Sequence, residues 1–283
     1  MALSDQISGV SHLGIATAVL KESVSWYEEK LGFQKVQQKV ILAPAMLEVA
    51  FLKKGDLMLE LCQPSGRARE EIRKRSAGFW DHYAIAAPDL EECVAEAQKK
   101  GMVFHSSTPE GITWYENLGE QGVHGANFIG PSGEVVEFCR DDAETSGGRS
   151  GLQGWSHLAL KVRDLTRTRE FYEKLGFREC GGGYLDTPDG RIQILYLENH
   201  GFQIEVLQMV GLGLLELERR GAGQIDHLAL ACPDAGEALW SAKQEKFRLQ
   251  DFVLQEAQLL DRGVRYFRII GPDGEKIEIN QKI

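Results

Sequence analysis

The sequence predicts an α+β protein made of four βαβββ modules that pair into two cup-shaped, mixed-sheet domains. Three observations predict it. Four times a histidine follows a short polar lead-in and opens an apolar run, at His12, His82, His157 and His227, with successive gaps of 70, 75 and 70 residues. Each repeat ends in a strand-like run carrying one glutamate: Glu60, Glu137, Glu205 and Glu278. The stretch Tyr27-Glu28-Glu29-Lys30-Leu31-Gly32-Phe33 also returns, one glutamate shorter, as Tyr172-Glu173-Lys174-Leu175-Gly176-Phe177. Repetition at this period means that each unit is one supersecondary module needing a neighbour to bury its apolar face.

Within a module the elements follow in a fixed order. His157 to Val162 alternates apolar and polar positions as a strand does. Asp164 then stands where a helix N-cap belongs, the helix runs to about Leu175, and Gly176 ends it. Pro88-Asp89 with Glu92, and Pro233-Asp234 with Glu237, predict similar helix starts in the second and fourth modules. Gly130-Pro131-Ser132-Gly133, Thr187-Pro188-Asp189-Gly190 and Gly271-Pro272-Asp273-Gly274 predict tight turns. Trp26, Tyr27, Phe171 and Tyr172 have helical spacing against the apolar strands and are expected in the core. Arg67 to Lys74 alternates in charge and reads as a solvated connector between modules.

The polar, glycine-rich run at 141–151 predicts an interdomain linker, giving a first domain at 1–140, a linker at 141–154 and a second domain at 155–283. The halves match at an offset of 145, from His12 to His157, Glu60 to Glu205 and His82 to His227. Glu137 to Glu278 is offset by 141, so one loop is four residues shorter in the second half. Net charge is −10 with no lysine/arginine block, which argues against nucleic acid as a partner. No apolar run approaches the ~18 residues of a membrane span. Met1 to Gly9 lacks the basic start and apolar core of a secretory signal. The five cysteines form no CxxC pair and are odd in number, so a reduced, cytoplasmic protein is expected.

A strand sends alternate side chains to opposite faces. In the fourth module Leu228, Leu230 and Cys232 point one way, and His227, Ala229 and Ala231 the other. His82, Ala84 and Ala86 repeat this, as do His12, Gly14 and Ala16, and His157, Ala159 and Lys161. Each glutamate likewise lies opposite an apolar set, as Glu60 does opposite Leu57, Leu59 and Leu61. The apolar faces must cover the helices, which drives histidine and glutamate onto the concave faces. Burying those carboxylates unpaired would cost several kcal/mol. A divalent cation removes that cost and suits imidazole with carboxylate. The expected metal sites are one per half: His12, Glu60, His82 and Glu137, then His157, Glu205, His227 and Glu278. Pairing across chains, in a homodimer, is left open by the sequence. Duplication copies residues along with modules, so a relic of an ancestral site would show the same pattern.

At these residues the sequence resembles the vicinal oxygen chelate superfamily, which includes glyoxalase I, methylmalonyl-CoA epimerase, extradiol dioxygenases and bleomycin-resistance proteins. The resemblance lies in the four histidine-bearing first strands and in Leu57-Met58-Leu59-Glu60-Leu61, Gly130-Pro131-Ser132-Gly133-Glu134-Val135-Val136-Glu137 and Gly271-Pro272-Asp273-Gly274-Glu275-Lys276-Ile277-Glu278. It covers all but the linker and the ends, and implies two glyoxalase-like domains in tandem. It also implies a divalent metal cofactor (zinc, nickel, cobalt, manganese or iron) and a small oxygenated substrate. Because both halves keep four ligand candidates, it favours a lyase or isomerase, similar to lactoylglutathione lyase or an epimerase. In that branch a carboxylate moves a proton next to a chelated carbonyl, and the resemblance assigns this to Glu137 and Glu278, with Glu60 and Glu205 as their partners. No counterpart of the residues that hold glutathione in that branch is visible. An extradiol dioxygenase resembles the chain in size and module number, but draws two histidines and one glutamate from its second half alone. Glu60 and Glu205 would then have no role, and no histidine stands between Asp261 and Arg268 to serve as its acid–base group. The reading outside enzymes is a metal-free protein that sequesters a drug or metabolite.

Other residues read more plainly. His105, His124 and His200 fall outside the pattern, and a structural or pocket-lining role, not ligation, is expected for His124. Cys62 and Cys139 share the inward face and read as small wall residues. Trp114-Tyr115 reads equally as a cover over substrate or as part of the cup rim.

Overall fold

The computed structural model describes residues 1–42, 46–75, 77–143 and 150–283. Positions 144–149 of the expected linker lie outside the described residues. The first module contains β1 (Gly9–Ala16), α1 (Leu20–Trp26), β2 (Gln34–Ile41), β3 (Leu47–Lys54) and β4 (Leu57–Pro64). A connector helix, α2 (Gly66–Ile72), leads to β5 (Trp80–Ala86), α3 (Leu90–Lys99), β6 (Thr113–Tyr115), β7 (Val123–Ile129) and β8 (Val135–Asp141). The third module contains β9 (Trp155–Val162), α4 (Leu165–Glu173), β10 (Arg178–Thr187), β11 (Gly190–Asn199) and β12 (Phe202–Gln208). After α5 (Gly211–Arg219) come β13 (Ile225–Ala231), α6 (Ala235–Gln244), β14 (Gln255–Ala257), β15 (Val264–Ile270) and β16 (Lys276–Lys282). The chain is α+β and has the four βαβββ units expected.

Two of the predicted caps form. Asp164 accepts from Arg167 N at 3.0 Å, and Asp234 from Gly236 N and Glu237 N at 2.8 and 3.1 Å. Asp89 does otherwise: its Oδ1 accepts from Gly151 N at 2.8 Å, so the carboxylate ties down the returning chain instead of its own helix.

The strands form two eight-stranded sheets, ordered β14-β15-β16-β13-β1-β4-β3-β2 and β10-β11-β12-β9-β5-β8-β7-β6. The fourth module therefore completes the first, and the third completes the second. This corrects the expected pairing within each half, and the sheets do not follow the 1–140 and 155–283 division. The linker supplies one physical reason. Gln153 N donates to Ala86 O at 2.9 Å and Ala86 N to Gly154 O at 3.0 Å, so the chain enters β9 already aligned beside β5. The helical layer supplies another. Tyr27 donates to Glu134 at 2.5 Å and Tyr172 to Glu275 at 3.3 Å, joining consecutive modules through buried side chains. The halves cross where Gly78 and Gly223 meet, 145 residues apart in sequence. A Cβ on Gly78 would lie 2.4 Å from Gly223 N, and one on Gly223 would lie 2.3 Å from Gly78 N. Only glycine permits two backbones to approach this closely.

One continuous core takes the apolar faces of both sheets and the helices between them. Tyr27 and Tyr172 are fully buried in it, and Trp26 and Phe171 pack against it, as expected. Burial of each large side chain there contributes about 1.5–3 kcal/mol. Two smaller clusters line the concave faces. Among the described residues no helix is long and apolar enough to cross a membrane.

Candidate metal centres in two cups

Each sheet gathers two histidines and two glutamates on its concave side. In the first cup these are His12 on β1, Glu60 on β4, His227 on β13 and Glu278 on β16. In the second they are His82 on β5, Glu137 on β8, His157 on β9 and Glu205 on β12. All eight predicted residues face inward, but the quartets exchange members: His82 and Glu137 do not join His12, nor do His227 and Glu278 join His157. A site drawn only from the second half is not assembled, because His157 lies in one sheet and His227 and Glu278 in the other.

The geometry follows from strand register. His12 stands opposite Ala229, and Gly14 opposite His227, across β1 and β13. The His227 ring crosses β1 where a Cβ on Gly14 would lie 2.1 Å from it, so this histidine needs glycine beneath it. His12 Nε2 and His227 Nε2 are 3.3 Å apart, and each lies 3.5 Å from Glu60 Oε2. Glu278 Oε1 stands 3.9 Å from His12 Nε2. In the second cup, His82 Nε2 and His157 Nε2 are 3.2 Å apart and each lies 3.7 Å from Glu205 Oε2. Glu137 Oε2 is 2.9 Å from His82 Nε2. Metal–ligand bonds of ~2.0–2.2 Å set donor atoms about 3.0 Å apart at right angles, or about 3.4 Å apart in a tetrahedron. The donor sets therefore fit a divalent ion in size and in chemistry. In the first cup His12, Glu60 and His227 converge most closely, and in the second His82 and His157 converge both with Glu205 and, at 2.9 and 3.7 Å, with Glu137.

The polar lead-ins have a function that sequence reading missed. Ser11 Oγ lies 3.2 Å from His12 Nδ1, Asp81 Oδ2 3.2 Å from His82 Nδ1, Ser156 Oγ 3.2 Å from His157 Nδ1, and Asp226 Oδ2 3.3 Å from His227 Nδ1. Each neighbour orients the ring so that Nε2 points into the cup. The signal was visible as Ser or Asp directly before each of these four histidines. Burial disfavours a charged imidazole, yet Asp81 and Glu137 outweigh it and push His82 up to about 10, and Asp226 and Glu60 do the same for His227. Burial pulls His157 down and the neighbouring His82 adds to it, outweighing the opposite pull of Glu205 and Glu137. Burial also works against Glu60, but His12 and His227 hold it well below the usual carboxylate range. Burial pushes Glu278 up, and the two glutamates of the first cup are thereby set apart.

The cups differ in access. All four residues of the first line a cavity of about 230 Å³. A larger cavity, of about 510 Å³, borders the second cup but reaches only His157 of its quartet. Size is the poorer guide, because chemistry needs the converging groups. Tyr196 donates to Glu205 at 3.0 Å and, with Leu118, Ile192 and Ile194, fills the second cup.

The remaining candidates stand outside the two sets of donors. Cys62 and Cys139 sit among apolar side chains, one in each cup. His124 Nδ1 lies 2.9 Å from Asp142 Oδ2, under the exposed Trp114 ring. Tyr115 packs into the second cup, while Trp114 is exposed and stacks on His124. His105 contacts Ser107 and His200 contacts Ile7 O. The charged connector is exposed, with Arg67–Glu71 and Arg73–Glu70 pairs, but Ile72 and Arg75 reach the first cavity, which its charge pattern did not predict.

Residues 9–138 match the Glyoxalase/Bleomycin resistance protein/Dioxygenase superfamily. The chain is 32% identical over 129 residues to the uncharacterized protein YwbC of Bacillus subtilis (strain 168), covering 44% of this chain and 95% of that one. Its fold is similar to glyoxalase I from Zea mays (TM-score 0.67, 20% identity, 96% of this chain and 92% of that one). It is also similar to a putative dioxygenase from Bacillus subtilis (TM-score 0.59, 16% identity, 98% of this chain and 86% of that one). The chain belongs to the Glyoxalase/Bleomycin resistance protein/Dioxygenase superfamily.

Proposed function

We propose that the chain is a divalent-metal-dependent lyase or isomerase that moves a proton beside a carbonyl of a small oxygenated substrate, working in its first cup. The observation that carries this reading is the cavity lined by His12, Glu60, His227 and Glu278 together. His12, His227 and Glu60 would hold the ion, and the imidazole–carboxylate set suits zinc, nickel, cobalt, manganese or iron. When bound, such an ion polarises a carbonyl and makes the neighbouring C–H more acidic. Glu278 stands off the tight triad and takes up and returns the proton. Asn280 donates to Glu278 Oε1 at 2.8 Å and fixes the carboxylate. Phe51, Leu259 and Val264 form an apolar wall that excludes water from the reacting end. Glu137 has the matching place in the second cup, which is filled by side chains. Both cups are complete within one chain, so neither needs a second copy. Five free thiols fit a reducing, cytoplasmic setting.

Elemental analysis of protein purified without chelator tests the reading, followed by the Glu60→Gln/Glu205→Gln variant. Near-stoichiometric divalent metal that falls sharply in the variant is the expected result. Metal-free protein would overturn it and leave the first cavity as the pocket of a small-molecule binder.

A further inference from the structure

We propose that Arg75 makes the first cup selective for substrates carrying one negative charge away from their chelating oxygens, on a small apolar body. The inference rests on the metal reading of that cup. The charged side chains lining the cavity are Glu60, Asp226 and Glu278 against Arg75 and Arg268. A divalent ion on the triad would balance Glu60 and Glu278, and Lys276 balances Asp226, so an uncompensated positive charge remains among the arginines. Arg268 does not supply it, because its Nε and Nη2 fork onto Asp251 at 2.7 and 3.1 Å and the pair is neutral. Arg75 does. Its Nη1 lies 3.5 Å from Asp226 Oδ1, but Lys276 Nζ holds both Asp226 oxygens more closely, at 3.0 and 3.2 Å. Two cations share one carboxylate that also orients His227. Arg75 is fixed in place by a 3.0 Å bond to Gly223 O, and its side chain is 25% exposed. An uncompensated charge at the edge of an apolar cavity favours a ligand of opposite sign.

The other walls limit what can carry that charge. Ile41, Leu47, Phe51, Leu259 and Val264 are aliphatic or aromatic. The volume of about 230 Å³ falls below the ~300–1,000 Å³ of drug-sized sites. A bulky zwitterionic conjugate with two carboxylates would meet one cation and an oily wall. Arg75 lies in the connector after α2, outside all four βαβββ modules, so nothing in the repeated ligand pattern pointed to it.

Isothermal titration of the zinc-loaded full chain tests this with benzohydroxamate, whose hydroxamate group offers two chelating oxygens next to an uncharged ring, and with its 3- and 4-carboxy derivatives. One carboxylated isomer should bind on the order of tenfold tighter than benzohydroxamate, as expected for a hydrogen bond to a charged group. That preference should shrink to about twofold or less in Arg75→Gln, recover in part in Arg75→Lys, and persist in Arg220→Gln, the position 145 residues on. Equal binding, or a preference that survives Arg75→Gln, would overturn this inference while leaving the metal site standing. No zinc binding would overturn the metal reading and this inference together, and zinc-loaded protein that binds none of the three probes would overturn this inference alone.

Discussion

In the first cup the rim is held by side chains, and in the second by the main chain. Gln37 on β2 accepts from Leu260 N at 2.7 Å and donates to Leu260 O at 3.1 Å, and Lys39 donates to Gln258 O at 2.7 Å. Leu260 is held at φ 56°, a left-handed conformation that disfavours a branched residue. Across the second cup Leu118 bridges Gly183 directly, and Tyr184 N donates to Asn117 O at 3.3 Å. A Cβ on Gly183 would lie 2.0 Å from Asn117 O, so that closure is built into the backbone. The same ligand set thus sits behind two kinds of closure: one that two polar side chains hold, and one that requires backbone to leave backbone. Ligands conserve a site's chemistry, while the rim decides whether substrate reaches it.

The largest effect should come from the axis that both cups share. Gly78→Ala or Gly223→Ala drives a methyl into backbone, which cannot give way as a side-chain tip can. We expect a loss at or above the ~1–3 kcal/mol usual for overpacking, seen as a lower urea midpoint. Next is a change that separates the cups. Gly14→Ala pushes the His227 ring off β1 and should weaken metal binding in the first cup by about 10–100-fold, read by competition with a chelating dye, while the second quartet is untouched. Equal losses in both cups would break the comparison.

The halves can be compared through their buried Glu–Tyr pairs. Burial raises Glu275 to about 7 from its ordinary value of 4.5, so the folded chain holds this proton more tightly than the unfolded one. That stabilisation is complete below about pH 4.5 and is lost as pH rises to about 7. Glu275→Gln, which stays neutral, should therefore raise Tm relative to the parent at pH 8 and not at pH 4, measured by calorimetry. Glu134→Gln should act with the same sign, since burial raises Glu134 too. The smallest effect concerns the rim. Gln37→Ala removes two partly exposed hydrogen bonds worth about 0.5–1.5 kcal/mol each, and should speed the stripping of metal by a soluble chelator from the first cup. An unchanged stripping rate would show that the rim does not gate access.

Much of this was legible in the sequence because it is local. Period-two alternation fixes which residues face inward, so all eight histidines and glutamates could be assigned to the concave faces without coordinates. Module pairing was not legible. The four first strands share one pattern, and β1 could pair with β5 or β13 on equal terms. What decides it is long-range: the linker aligned beside Ala86, the Tyr–Glu bonds between consecutive modules, and the approach of Gly78 to Gly223. That glycine pair was present in the sequence at the repeat offset, but its meaning depends on two backbones meeting. The ring-orienting Ser11, Asp81, Ser156 and Asp226 were likewise visible as letters, and their role appears only when Nδ1 is located.

The central claim is that opposite ends of the chain build one metal site. Zinc affinity of the first cup in a His12/His227 double-mutant cycle tests it most directly, with His12/His82 as the control cycle. The account predicts strong coupling for the first pair, with the double variant scarcely weaker than either single one, and an unchanged first-cup affinity in His82→Ala. Loss of that affinity in His82→Ala, with His227→Ala silent, would contradict it.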